Sequence, residues 1–253
     1  MQAGAYNSQR AGFVGEENNA LLVCFIRHAE SESNVGRPTT YTHQDRLTER
    51  GKRQAEELPR QLEEISRTFK RQPDLIITSP YRRARETARP TRLTFPDATY
   101  RIWPVEEFTY LGSMGGKPTT NEDRQKKRRE FWSLYDPDHT DETGESFNHF
   151  MARVRLILEC LRRQEAHFIV VFSHEQFIQA VHEILSRGLA EPFEPFETPE
   201  TMQRFRRRLN EWSIPNCHIS PTWLTKAESN SYQCQNHSST KIPRYLLAAM
   251  CKR

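Results

Sequence analysis

The chain has 253 residues with 37 Lys and Arg against 33 Asp and Glu, a formal charge of +4 that is too small over this length to define a nucleic-acid binder. The basic residues divide into 29 Arg and 8 Lys, a skew toward the flat, permanently charged fork that matches phosphate and carboxylate. Five widely spaced cysteines (Cys24, Cys160, Cys217, Cys234 and Cys251) form no Cys-x-x-Cys pair, which argues against a disulfide framework or a zinc ribbon. The longest apolar run, Leu21 to Ile26, is too short to span a bilayer, and the start lacks the basic-then-apolar layout of a signal peptide. A soluble cytoplasmic protein is expected.

In chain order, residues 1–20 lack periodicity and read as a mobile extension. Leu21 to Ile26 is a continuous apolar run, the mark of a strand buried on both faces. A helix is expected from about Thr48 to Ile65, with Pro59 kinking or splitting it. Asp74 to Thr78 reads as a second strand, after which Ser79-Pro80 opens a helix that Pro90 closes. Tyr100 to Phe108 is a further candidate strand. Gly115 to Gly144 is polar and carries a basic run from Arg124 to Arg129. Phe147, Phe150, Met151, Val154, Ile157, Leu158 and Leu161 then form one helical stripe. His167 to Phe172 is a third strand, followed by a helix with Phe177, Ile178, Val181, Ile184 and Leu185 on one face. Gly188 to Glu200 looks like a surface loop. Residues 226–253 form a C-terminal appendage to a single domain spanning 21–225. The basic runs, the second being Arg204 to Arg208, read as solvated faces or anion-attracting rims, and Phe131, Trp132 and Trp212 beside them are expected to pack. Asn236-His-Ser238 matches the glycosylation acceptor pattern and is expected to be silent without a secretory signal. Strands alternating with amphipathic helices indicate an α/β fold with a mostly parallel sheet.

In open α/β sheets, ligands bind beyond the carboxyl ends of the strands. The first strand delivers Arg27-His28-Ala29-Glu30-Ser31, with Asn34 shortly after; the second delivers Ser79-Pro80 and then Arg83. Ser173-His174 follows the strand from His167, and Glu106 and Glu107 leave the candidate strand before them. Two imidazoles, two guanidiniums and a carboxylic acid on one sheet edge suit phosphoryl transfer without a metal. A neutral imidazole is a competent nucleophile, fixed cationic donors meet the charge on the phosphoryl oxygens, and a protonated carboxyl supplies the leaving oxygen.

These residues carry a resemblance. Arg27-His28-Ala29-Glu30-Ser31 with Asn34, then Asp45, Leu47, Thr48, Gly51, Gln54 and Ala55, then Ser79, Arg83, Ala84, Thr87 and Ala88, then Glu145-Ser146, Arg153-Val154 and Ser173-His174, resemble in order the motifs of the histidine phosphatase superfamily, also called phosphoglycerate-mutase-like. The resemblance covers about Leu21 to Trp223. It implies a three-layer sandwich, His28 as nucleophile, and Arg27, Arg83 and His174 as the phosphate pocket, with Asn34 near the substrate. The general acid aligns with Glu107 or its neighbour Glu106, with Glu107 preferred as nearer the strand end. It implies no metal or other cofactor, and a small phosphorylated substrate or a phosphoprotein as partner, with neither membrane nor nucleic acid expected; oligomeric state is not legible. Two departures stand out: Ala29 replaces the usual Gly, and Glu175 stands where Gly follows the second His, placed to repel phosphate or bind a cationic portion of a substrate. A phosphomonoester hydrolase is the leading reading; the alternatives are a phosphoglycerate-type mutase and a catalytically weakened phospholigand- or RNA-binding module.

Overall fold

Alternation along β1 (Ala20–Arg27) decides the layering. Leu21, Val23 and Phe25 face one layer of helices while Leu22, Cys24 and Ile26 face the other, because successive strand side chains point to opposite faces. β4 (Phe168–Ser173) divides in the same way, Ile169 and Val171 against Phe168, Val170 and Phe172. With β2 (Leu75–Thr78) and β3 (Thr99–Ile102) these strands run parallel, and β5 (Ile219–Thr225) closes the other edge antiparallel to β1, giving the order β3-β2-β4-β1-β5. The computed structural model describes residues 20–112, 116–141, 143–188 and 197–227. Residues 1–19 of the expected extension and 228–253 of the expected appendage, with Cys234, Cys251 and Asn236, lie outside them, as do residues 189–196 of the expected surface loop.

Helices α1 (Glu49–Phe69) and α2 (Arg82–Thr94) cover one face, with Leu58, Leu62 and Ala88 buried there. Helices α3 (Gln125–Leu134), α4 (Phe147–Arg162), α5 (Glu175–Ser186) and α6 (Pro199–Glu211) cover the other. The result is the expected α/β sandwich with a mostly parallel sheet. An aromatic cluster fixes the second layer: Phe108 stacks on Phe150 at 4.5 Å and meets Phe131 and Trp132 edge-on at 5.8 and 6.1 Å. Truncating a fully buried member such as Phe150 to Ala costs about 3–5 kcal/mol.

Several local expectations are corrected. α1 runs unbroken through Pro59, because Gly51, Ala55, Leu58, Leu62 and Ser66 bury a stripe on both sides of it. Close packing begins in its first turn, where a Cβ on Gly51 would lie 2.0 Å from the Glu30 carbonyl oxygen. α2 begins at Arg82, not Ser79, since the Ser79 hydroxyl is engaged with the Tyr81 amide and His174; Pro90 lies inside the helix, which ends four residues later. The strand expected to Phe108 stops at Ile102, level with the end of β2. Beyond it the chain is held by Trp103 N to Thr78 O (3.0 Å), Ser173 Oγ to Val105 O (2.5 Å) and Arg153 Nη1 to the carbonyls of Pro104 and Glu106 (3.0 and 3.1 Å). The polar 115–144 segment contains α3, whose Phe131 and Trp132 are buried as expected. Trp212 is instead 51% exposed, stacked on His182 and beneath the Arg208 guanidinium.

Candidate active site

Pairing of β1 with β4 sets Arg27 level with Ser173, so the chain leaves both strands at one point. His28 N donates to Ser173 O at 2.9 Å and Ser79 N to Phe172 O at 3.0 Å, which brings His28, His174 and Ser79 together. The loop after His28 is locked to both helices of its layer. Ala29 N donates to Thr87 Oγ1 (3.0 Å) and Glu30 N to Gln54 Oε1 (2.9 Å).

Arg83, in the first turn of α2 and 6% exposed, joins the two histidines. Its Nε donates to His28 Nε2 at 2.9 Å, its Nη2 to His174 Nδ1 at 3.0 Å and its Nη1 to Thr42 O at 2.6 Å. A guanidinium only donates, so both imidazole nitrogens it touches present lone pairs. The proton of His28 therefore sits on Nδ1, donated to Ala29 O at 2.7 Å, and that of His174 on Nε2, donated to Ser79 Oγ at 2.8 Å. These are two neutral rings in opposite tautomers. Burial, then the charge of Arg83, holds the pKa of each well below the ordinary imidazole value, with Arg27 acting in the same direction.

Arg27 flanks this trio. Its Nη1 donates to Ile214 O and pairs with Glu175 Oε2 at 3.0 Å, while its Nε is buried with no hydrogen-bond partner. Glu175 Oε1 accepts from Ser213 Oγ at 2.8 Å and Ile214 N at 2.9 Å. The carboxylate that the sequence sets against phosphate is thus turned onto Arg27 and the 213–214 turn.

Both acid candidates have a raised pKa, from burial in each case. Their neighbours differ. Glu107 Oε1 accepts from Gln176 N at 2.8 Å, at the start of α5, and its carboxyl feels Arg83, Arg27 and Glu175. Glu106 feels Arg153 and Glu145, and its Oε2 is buried without a partner. Arg153, clamped to Glu145 at 2.8 and 2.7 Å, holds the backbone between the two regions.

Asn34 stands apart. It is exposed, and its Oδ1 accepts from Ser31 N at 3.1 Å in the turn after β1. Its link to the site is Asn216, whose Nδ2 donates to His28 O at 2.8 Å and to Asn34 Oδ1 at 3.2 Å. Asn216 and Thr42 are contributions that residue patterns do not signal, since Thr42 holds Arg83 by its main-chain carbonyl and Asn216 lies in a turn with no repeat. Among the described residues, no group of three or more His, Cys, Asp or Glu is arranged to hold a metal ion, and no helix is long and apolar enough to cross a membrane.

The sequence profile of the Histidine phosphatase superfamily (branch 1) matches residues 23–213. No curated protein matches the chain by sequence at a significant level. Among solved structures, a mycobacterial glucosyl-3-phosphoglycerate phosphatase superposes with a TM-score of 0.57 at 21% identity, over 81% of this chain and 90% of that one. The alpha-ribazole phosphatase from Shigella flexneri gives 0.56 at 24%, over 79% and 89%. A phosphoserine phosphatase from Entamoeba histolytica, in complex with 3-phosphoglyceric acid, gives 0.55 at 21%, over 79% and 89%.

Proposed function

From the premise that the chain belongs to the histidine phosphatase superfamily, branch 1, we propose that it hydrolyses a phosphomonoester through a phosphohistidine on His28. The observation that carries this reading is the lone pair of His28 Nε2, held toward Arg83 in a neutral ring. The dianionic phosphoryl group takes the donors of Arg83 and the unpartnered Nε of Arg27, charge-assisted bonds that replace weaker ones to neutral rings. The same negative charge favours a proton on His174 Nδ1, which turns that ring from acceptor to donor.

Freed from Arg83, His28 Nε2 attacks phosphorus as the bond to the leaving oxygen breaks. Glu107, protonated above the usual carboxyl range and anchored through Oε1 to Gln176 N, gives its proton to that oxygen. Water then attacks the phosphohistidine, Glu107 takes the water's proton, and the P–N bond breaks to release inorganic phosphate and restore His28. Arg27, Arg83 and His174 stabilise the charge in both steps without a metal ion. Small phosphorylated substrates such as those named for the structural neighbours fit this pocket chemistry.

The test is rapid-quench trapping with a chromogenic phosphomonoester, with and without chelator. An acid-labile, base-stable phosphoenzyme that forms equally with chelator is expected, and His28→Ala abolishes it and lowers kcat by about 10³-fold or more. Full activity in His28→Ala would remove the mechanism.

A further inference from the structure

In-line displacement sets the leaving oxygen beside the acid, so the organic part of the substrate lies on the Glu106–Glu107 side of the pocket. Aromatic rings adjoin the phosphate pocket. Tyr81, just before α2, packs its ring edge-on to His174 at 5.2 Å and lies beneath the Arg83 guanidinium at 5.0 Å. Burial, and after it the charge of Glu106, raises the pKa of its hydroxyl. His43 meets Tyr81 at 6.4 Å, and Tyr41 meets His43 at 5.6 Å. With His174, four rings therefore run from the phosphate pocket to solvent, where Tyr41 is 52% exposed.

Two features separate this row from ordinary packing. Tyr41 and His43 are exposed, and neither Tyr41 nor Tyr81 belongs to a hydrophobic core cluster. The short turn Thr42–Gln44 that carries His43 is tied to the site itself: Thr42 O accepts from Arg83 Nη1 at 2.6 Å. The element that holds the phosphate-binding guanidinium thus also sets the position of the outer rings.

We propose that Tyr41, His43 and Tyr81 form the leaving-group subsite and that it accepts a planar aromatic ring, making the substrate a phosphomonoester of an aromatic or arylmethyl alcohol. This rests on the phosphatase reading above. Edge-to-face and offset contacts with the three rings supply the selectivity, because they favour a π-system over a saturated ring of the same size.

Benzyl phosphate and cyclohexylmethyl phosphate make the test, since both release a primary alcohol of the same length and differ in the ring. The wild-type enzyme is expected to favour benzyl phosphate in kcat/KM by about fivefold, the size of one to two aromatic contacts. A Tyr41→Leu/His43→Leu variant, altered only at exposed positions, is expected to bring the ratio of the two kcat/KM values close to one. A wild-type ratio near one, or a preference that persists in the variant, overturns the subsite. Turnover without preference removes the subsite alone, whereas no turnover of either ester removes the phosphatase reading along with it.

Discussion

Arg204 and Arg208 on α6 reach Glu183 at 2.8 and 3.8 Å, and Arg155 and Arg187 close on Glu197; the two carboxylate side chains are 4% and 1% exposed. Arg83, at the ends of β1 and β4, instead rests on two neutral imidazoles and a carbonyl, with Asp45 at 3.8 Å as its carboxylate neighbour. A cation whose donors are taken by a carboxylate gains little from an arriving anion, whereas Arg27, although paired with Glu175, keeps an unpartnered Nε. A cation held by neutral acceptors exchanges them for charge-assisted bonds. The outer arginines clamp helices, and the proposed mechanism makes the inner one the receptor. The basic run Arg204 to Arg208 is engaged accordingly, with Arg206 lying over the buried Trp132 ring at 5.2 Å, and this weighs against a nucleic-acid face there.

Substitution in each region sharpens the contrast. Arg83→Lys keeps the charge and loses the three-way fork, so kcat/KM is expected to fall about 10²–10³-fold, as when a preorganised transition-state donor is removed. Steady-state kinetics and competition by inorganic phosphate measure it, and a loss under about tenfold breaks the receptor assignment. Removing Arg204 and Arg208 together to Ala leaves Glu183 buried without its cations. Unfolding in urea should then show about 1–3 kcal/mol less stability, discounted because the Arg204 side chain is half exposed. The same variant should keep kcat/KM within about twofold, since nothing on α6 joins the strand-end network.

What the sequence makes legible follows from how each part is buried. β1 and β4 are covered on both faces and read as unbroken apolar runs. β5 escapes such a reading because it is an edge strand, where Ser220, Pro221 and Thr222 interrupt the apolar pattern and Pro221 sits opposite Cys24 without breaking the sheet. α6 escapes it too, since its only buried residues are Thr201, Met202 and Phe205, too few to mark a stripe. His28, Arg83 and His174 come together as side chains near strand ends, so their types and order announce them. The choice between Glu106 and Glu107 depends on which carboxyl packing turns toward Arg83, and adjacent positions on one segment carry no signal of that.

That choice has a direct test in the pH profile. The acid works only when protonated, so kcat/KM declines as pH rises through its pKa, while the opposite limb, set by protonation of His28, falls well below the usual imidazole range. Burial raises the Glu107 pKa, Arg83 and Arg27 pull it down, and Glu175 pushes it up. Glu175→Gln keeps an oxygen to accept from Ser213 and Ile214 but removes the charge. The basic limb should therefore move to lower pH, an effect smaller than the losses above. Glu106 is pushed up by Glu145 and has no comparable push from Glu175. A basic limb that stays in place in Glu175→Gln and moves in Glu145→Gln would transfer the acid's role to Glu106, and with it the proton donor from the Arg83 side of the pocket to the Arg153 side.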